Sequence, residues 1–260
     1  MDVVIIGTGN VAWFMAKWLH YHKHQVLQVA GRNLPEAQAL ANLVQADATS
    51  NFSNLSQADV YILAIADTYI AEVANQIKLS SGLLLHTAGS VSIDVIVQSS
   101  AACGVMWPMQ SIHKNTPLTT AVPLMIEANN PIAMFTLRAL ANSLSQQVQE
   151  ANQLQRQQLH VAAVMANNFV NFWYVLANDF CKKQQLDFQL LLPLIQQSAM
   201  RLNEQLPHAT QTGPAIRGDE ATIQQHLLLL SNQPEIKALY SQMSTAIQQY
   251  PWPQSKPFLP

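Results

Sequence analysis

One run near the start leaves few folds available to this chain. Asp2-Val3-Val4-Ile5-Ile6 leads straight into Gly7-Thr8-Gly9-Asn10-Val11-Ala12, and an amphipathic segment follows with apolar residues at Val11, Phe14, Met15, Trp18 and Leu19. The apolar run reads as a buried strand, and the glycines that end it read as a tight turn into a helix. In that setting G-x-G-x-x-G/A is a dinucleotide fingerprint, in which each small residue has its own task. Gly7 permits the sharp turn, Gly9 lets the backbone approach a pyrophosphate, and Ala12 lets the helix lie close on the sheet. The unpaired N–H groups and the positive end of the helix dipole hold the anion. The expected cradle is Gly7, Thr8, Gly9, Asn10 and Val11.

The rest of the first half alternates strand and helix patterns, the signature of a doubly wound, mainly parallel sheet of the Rossmann type. Further strands are expected at 25–30, near 45–48, and at 60–66, 82–86, 103–109 and 122–128. Helices are expected from Pro35 to Leu43 and from Thr68 to Ile77. From Pro131 the period changes. One helix should run to about Ser145 and a short strand should cover 147–150. Beyond that everything reads as helix: a single long one over 153–183, then 188–206, 219–231 and 234–249. Pro251, Pro253, Pro257 and Pro260 predict an extended tail. The expected organisation is α/β, with a dinucleotide-binding domain at 1–152 and an all-α domain at 153–260.

Composition narrows the partners. Charged residues are 11% of the 260 and the net charge is −2, so the footprint that nucleic acid requires is missing. Glutamine and asparagine fill the polar faces instead, notably over 146–158. Cys103 and Cys181 lack any C-x-x-C spacing, which argues against a zinc site or a disulfide framework. A core strand beginning at residue 2 leaves no room for a signal peptide. Runs such as 190–192 and 227–230 are too short to span a bilayer. The expectation is a cytoplasmic protein with no metal, no membrane contact and a small-molecule substrate.

Which dinucleotide binds is decided at the end of the second strand. NAD-binding versions of the fold carry an acid there for the ribose hydroxyls. This chain reads Ala30-Gly31-Arg32-Asn33 instead. Arg32 offers a planar cation to a 2′-phosphate and Asn33 a further hydrogen bond, which favours NADP(H); the competing reading makes Arg32 a solvated turn residue. Two more segments follow strands on the ligand side of such a sheet. Ala66-Asp67-Thr68 offers Ala66 to the cofactor, with Asp67 either a helix cap or a ligand contact. His86-Thr87-Ala88-Gly89-Ser90 puts Thr87 and Gly89 beside the expected nicotinamide, and Ser90 or Ser92 reads best as a helix cap.

A family resemblance emerges from these and later segments. The glycine turn, His86-Thr87-Ala88-Gly89-Ser90, Trp107-Pro108-Met109-Gln110-Ser111, the run from Leu159 to Asn171 and Gln211-Thr212-Gly213-Pro214-Ala215-Ile216-Arg217-Gly218-Asp219 resemble bacterial NADP oxidoreductases. In these, a Rossmann-like domain precedes the helical "domain of unknown function 2520". The wider resemblance is to the 6-phosphogluconate dehydrogenase-like superfamily, which includes pyrroline-carboxylate reductase. It implies the fold, nucleotide binding and a homodimer, but no substrate. In the dehydrogenase relatives the first helix of the second domain carries a lysine that shuttles the proton, with an asparagine one turn later. Matching His160 and Asn167 to that pattern puts Ala163 at the lysine position. The asparagine is retained and the general acid/base is not.

His160, Asn167 and Asn171 are spaced to share one face of an otherwise apolar helix. His160 serves either in core hydrogen bonding or as a proton donor. Arg217, between two glycines, is either an anion clamp or the partner of Asp219. His113 and Lys114 are weaker candidates for the same anion or for proton transfer. The leading expectation is an NADP(H)-dependent oxidoreductase that transfers hydride on a small, anionic substrate, with His160, Asn167 and Arg217 as site residues. The rival is a non-catalytic NADP(H)-binding sensor that lacks the lysine; a third reading pairs the Rossmann domain with a deazaflavin.

Overall fold

The computed structural model describes residues 1–253. Strands β1 (Asp2–Ile6), β2 (Gln25–Ala30), β3 (Asp47–Thr49), β4 (Val60–Leu63), β5 (Leu83–His86), β6 (Ala102–Pro108), β7 (Leu124–Ala128) and β8 (Val148–Glu150) form one sheet, in the order β3-β2-β1-β4-β5-β6-β7-β8. All neighbours are parallel except β6 and β7. The order reverses between β1 and β4, and ligands of doubly wound sheets bind at such a switch point. The expected mainly parallel α/β sheet is therefore present. Several strands are shorter than their apolar runs: β4 ends at Leu63, because Ala64 already belongs to the turn that faces Gly7.

The helices of this half are α1 (Asn10–Tyr21), α2 (Leu34–Val44), α3 (Ile70–Ala74), α4 (Pro131–Leu144) and α5 (Gln153–Ala163). Successive residues of β1 enter opposite cores, as strand geometry requires. Val3 and Ile5 pack with Phe14, Leu40 and Leu137, whereas Val4 and Ile6 pack with Ile70, Val73 and Ile96. Helices thus cover both faces, which is why the parallel strands read as unbroken apolar runs. The helix expected over 68–77 is a 3₁₀ turn at Asp67–Tyr69 followed by the short α3; Ile70, Val73 and Ala74 are buried there, and Ile77 enters the same core from beyond the helix end.

The long helix expected over 153–183 is α5, a π turn at Val164–Phe169, and α6 (Val170–Lys183). A π turn bonds i→i+5 and so takes up one residue more than an α turn, which rotates the remainder of the helix by roughly 100°. The shared face expected for His160, Asn167 and Asn171 rests on an unbroken α period, and the turn breaks it. The helix expected over 188–206 is likewise divided, into a 3₁₀ turn, α7 (Leu192–Met200) and a second 3₁₀ turn at Arg201–Asn203. Then come α8 (Pro207–Thr210), α9 (Pro214–Arg217), α10 (Glu220–Leu229) and α11 (Pro234–Gln249). Pro251 and Pro253 lie outside any helix, as expected of the tail, while Pro257 and Pro260 lie outside the described residues.

Packing divides the chain into two compact units, 1–167 and 168 onward, so α5 belongs with the sheet. The tie is explicit. Arg156 in α5 is fully buried; its guanidinium pairs with Glu127 of β7 and donates to the carbonyls of Ala151 at 3.0 Å and Val91 at 2.9 Å. Each unit holds one buried, free cysteine, Cys103 in β6 and Cys181 in α6. The Cys103 thiol donates to the carbonyls of Ser100 at 3.1 Å and Ile96 at 3.4 Å, and burial pushes its pKa up to about 11.

Candidate functional site

At the switch point lies a cleft of about 590 Å³. Gly7, Thr8, Gly9, Asn10, Val11, Arg32, Asn33 and Ala66 all line it, so eight of the ten residues expected to hold the cofactor come together. Gly7 has φ +135°, and a Cβ there would run into the Ala64 carbonyl oxygen, so only glycine fits. A Cβ on Gly9 would meet nothing within 4 Å, so that side of the backbone is open to a ligand. No side chain caps the first turn of α1. Its orphan N–H groups and the helix dipole are therefore left to an anion. The next helix differs: Asn33 caps α2 through its side-chain oxygen, which accepts from the Glu36 N–H.

Arg32 is exposed and its guanidinium lies 4.5 Å from the centre of the Tyr69 ring. That stack presents the planar cation to the cleft and sets it apart from a free turn residue. Other lining residues were not among those expected, Tyr69, Glu36 and Ile112 among them. Glu36 accepts from the Thr8 hydroxyl at 2.8 Å, and Ile112 reaches the cleft from the loop after β6. Position 36 carries a weak signal, three residues past the Asn33 cap; Ile112 and Tyr69 carry none, since their approach depends on the folded sheet. His113 and Lys114 lie exposed in that loop, with the Lys114 ammonium 4.9 Å from the Trp13 ring centre and its carbonyl bonded by Lys17.

Thr87 and Gly89 do not line this cleft. Thr87 is buried, and its hydroxyl turns inward to the Leu63 carbonyl at 3.5 Å. Gly89 lies flat against Trp107, where a Cβ would come within 2.6 Å of the indole. The turn that carries them is still joined to the cleft, because the Ser90 hydroxyl donates to Asp67 at 2.8 Å and Asp67 lines the cleft. Asp67 is thus a link between two loops rather than a helix cap. Ser92, in contrast, does cap: it accepts from the Asp94 N–H at 3.2 Å.

The first turns of α5 settle on the same loop. Gln157 donates to the Ser90 carbonyl at 3.3 Å and Arg156 to that of Val91. One turn on, His160 stands edge-on to Trp107 with ring centres 5.9 Å apart, its side chain exposed. Beneath them His86 is fully buried, and its Nδ1 accepts from the Ala88 N–H at 3.3 Å. Burial, aided by the nearby Arg156 charge, lowers its pKa to about 4, so the ring is neutral at ordinary pH. Asn167 is exposed within the π turn, and π turns often mark functional positions.

Arg217 belongs to the second unit, exposed at the end of α9 between Gly213 (φ +113°) and Gly218 (φ +66°). The pairing with Asp219 is not what holds that turn. Asp219 caps α10 instead, accepting from the Thr222 N–H at 3.1 Å and the Thr222 hydroxyl at 2.8 Å, and these bonds keep its pKa below the usual carboxylate value.

A doubly wound sheet with an open glycine turn at its switch point and a stacked arginine in the same cleft is the architecture of a dinucleotide-binding protein. Comparison with known proteins agrees. Residues 2–91 match the family model described as NADP oxidoreductase coenzyme F420-dependent, and residues 122–247 match the domain of unknown function DUF2520. The chain is 36% identical to a Bacteroides fragilis protein described as a "putative NADP oxidoreductase", with a TM-score of 0.88 over 96% of this chain and 98% of that one. A Thermotoga maritima protein is 20% identical with a TM-score of 0.73, covering 95% and 97%. An imine reductase from Myxococcus stipitatus in complex with NADP+ is 14% identical with a TM-score of 0.65, covering 96% and 93%, and shares the fold. No curated protein matches. The chain belongs to the NADP oxidoreductases that join this N-terminal domain to the DUF2520 domain, and its cofactor is NADP(H).

Proposed function

We propose that the protein is an NADP(H)-dependent oxidoreductase that reduces or oxidises a small, anionic carbonyl or imine compound, working as a cytoplasmic homodimer. The observation that carries the reading is the chain of contacts from cleft to α5: Asp67 lines the cleft and holds Ser90, Ser90 is held by Gln157, and His160 stands one turn on. The nicotinamide supplies or accepts the hydride. Gly7 to Val11 hold the pyrophosphate, Arg32 and Asn33 the 2′-phosphate, and Ala66 shapes the wall, while Thr87 and Gly89 act from the adjoining turn that Ser90 ties to Asp67. His160 delivers or takes the proton in place of the absent lysine, its ring held at Trp107. Asn167 orients the substrate and Arg217 clamps its anionic group.

The cytoplasmic assignment draws on two buried, unpaired thiols. No helix among the described residues is long and apolar enough to cross a membrane. The homodimer draws on the exposed apolar residues of the second unit, Phe169, Phe172, Leu190, Leu194 and Leu228 among them. By secondary structure we propose a cofactor domain at 1–152 and a helical domain from 153, with α5 the helix of the latter that packs on the sheet.

Ala163 favours one rival, a sensor that binds NADP(H) without turnover. A panel of small keto acids and cyclic imines, assayed by NADPH absorbance with wild type, His160→Gln and Arg217→Ala, separates the two. Catalysis by these residues predicts a kcat lowered about 10²-fold in His160→Gln and a raised KM in Arg217→Ala. Tight NADPH binding with no turnover across the panel would leave the sensor reading standing.

A further inference from the structure

The cleft holds two opposite charges that are not paired with each other. Among the described residues the ion pairs are Arg138–Glu150 and Arg156–Glu127, although Arg32 and Glu36 line one cleft and are four positions apart in sequence. A guanidinium and a carboxylate that line one cleft attract each other and could pair. Each is instead held by a different neighbour. The Arg32 guanidinium lies on the face of Tyr69 at 4.5 Å, and Glu36 accepts from the Thr8 hydroxyl, tying it to the glycine turn. An arginine paired with Glu36 would commit one donor edge to the carboxylate and have much of its charge offset. Stacked on Tyr69, it keeps its edge N–H groups for an incoming anion.

We propose that Tyr69 is the residue that keeps the cleft selective for the 2′-phosphorylated dinucleotide, by holding Arg32 away from Glu36. The inference rests on the cofactor site described above and adds to it a positioning residue that acts through Arg32. A 2′-phosphate then meets an unpaired cation, whereas a ribose hydroxyl gains nothing from the stack. Tyr69 is 41% exposed, so replacing it leaves the core intact.

The test is calorimetric titration of the full-length protein with NADPH, NADH and 2′,5′-ADP. Wild type is expected to favour NADPH. Tyr69→Leu should narrow the NADPH/NADH ratio of Kd values by about two- to fivefold and weaken 2′,5′-ADP equally, with NADH unchanged. Tyr69→Phe, which keeps the ring, should behave as wild type, and adding Glu36→Gln to Tyr69→Leu should restore the lost selectivity. If Tyr69→Leu weakens NADPH and NADH alike, the ring acts by packing and the proposal is wrong. The proposal fails equally if the ratio does not move, or if Glu36→Gln restores nothing. A wild type with no preference for NADPH would remove the cofactor reading as well, and that failure is visible before any variant is made.

Discussion

The two units bury their apolar side chains very differently. In the first, every residue of β4 and β5 is buried, and both faces of the sheet are covered by helices drawn from the same unit. In the second, the only buried hydrophobic residues among those described are Cys181, Ala215, Ile223 and Leu230. Phe169, Phe172, Leu190, Leu194, Leu228 and Leu229 are all more than half exposed. Fully burying one such side chain is worth roughly 1.5–3 kcal/mol, so leaving so many in water forfeits much of what a helical domain has to offset its chain entropy. The first unit encloses a core of its own even though Ile132, Phe135 and Leu154 stay exposed; the second has a large apolar surface and little core beneath it. A groove between α6 and α11, lined by Phe169, Phe172, Trp173, Leu239 and Met243, gives that surface shape as well as area.

Three experiments can break or sharpen this contrast. The largest effect is expected in the first unit at Arg156, the fully buried tie between α5 and the sheet. Arg156→Ala strands Glu127 and the carbonyls of Ala151 and Val91, and should cost about 3–5 kcal/mol in denaturant unfolding; a loss under about 1 kcal/mol would mean that α5 does not depend on the sheet. Next, Phe172→Asp should weaken self-association about 100-fold, or about 2.7 kcal/mol, in sedimentation velocity. A wild type that sediments as a monomer would show that the apolar face is covered some other way.

The smallest effect comes from His86. Its folded pKa, lowered to about 4, lies below the ordinary 6.5, so the unfolded chain binds the proton more readily. Stability should therefore be fullest above pH 6.5, fall by about 2 kcal/mol by pH 5, and level off below pH 4. His86→Gln should flatten that part of the profile, and an unchanged slope would assign the acid sensitivity to other groups.

How much could be read from the chain beforehand depends on the reach of the interactions. Gly7, Gly9 and the uncapped start of α1 act within ten residues of one another, so the turn was legible, down to the position where only glycine fits. Arg32 was legible for the same reason, standing at the end of a strand where an acid is otherwise expected. Tyr69 was not, because nothing in Ala66-Asp67-Thr68-Tyr69 says that its ring will meet a residue 37 positions earlier. Arg156 sits in a glutamine-rich stretch that reads as a solvated face, and only the folded sheet brings Glu127 and Val91 to it. The π turn at Val164–Phe169 escaped as well, since apolar spacing of three and four fits an α-helix and does not register one added residue. Asp67 and Ser90 each had a local role as caps on offer, and a contact across 23 positions won.

The placement of the two cysteines gives each unit its own clock. Cys103 is closed in the sheet with a thiol that scarcely ionises at neutral pH, and Cys181 is buried on α6. A thiol reagent reaches either only when its surroundings open, and the thiolate is the reactive species. Labelling rates followed site by site in mass spectra thus time the breathing of the sheet and of the helices separately, in one unmodified chain. A partner that covers the helices would slow the second clock and leave the first running.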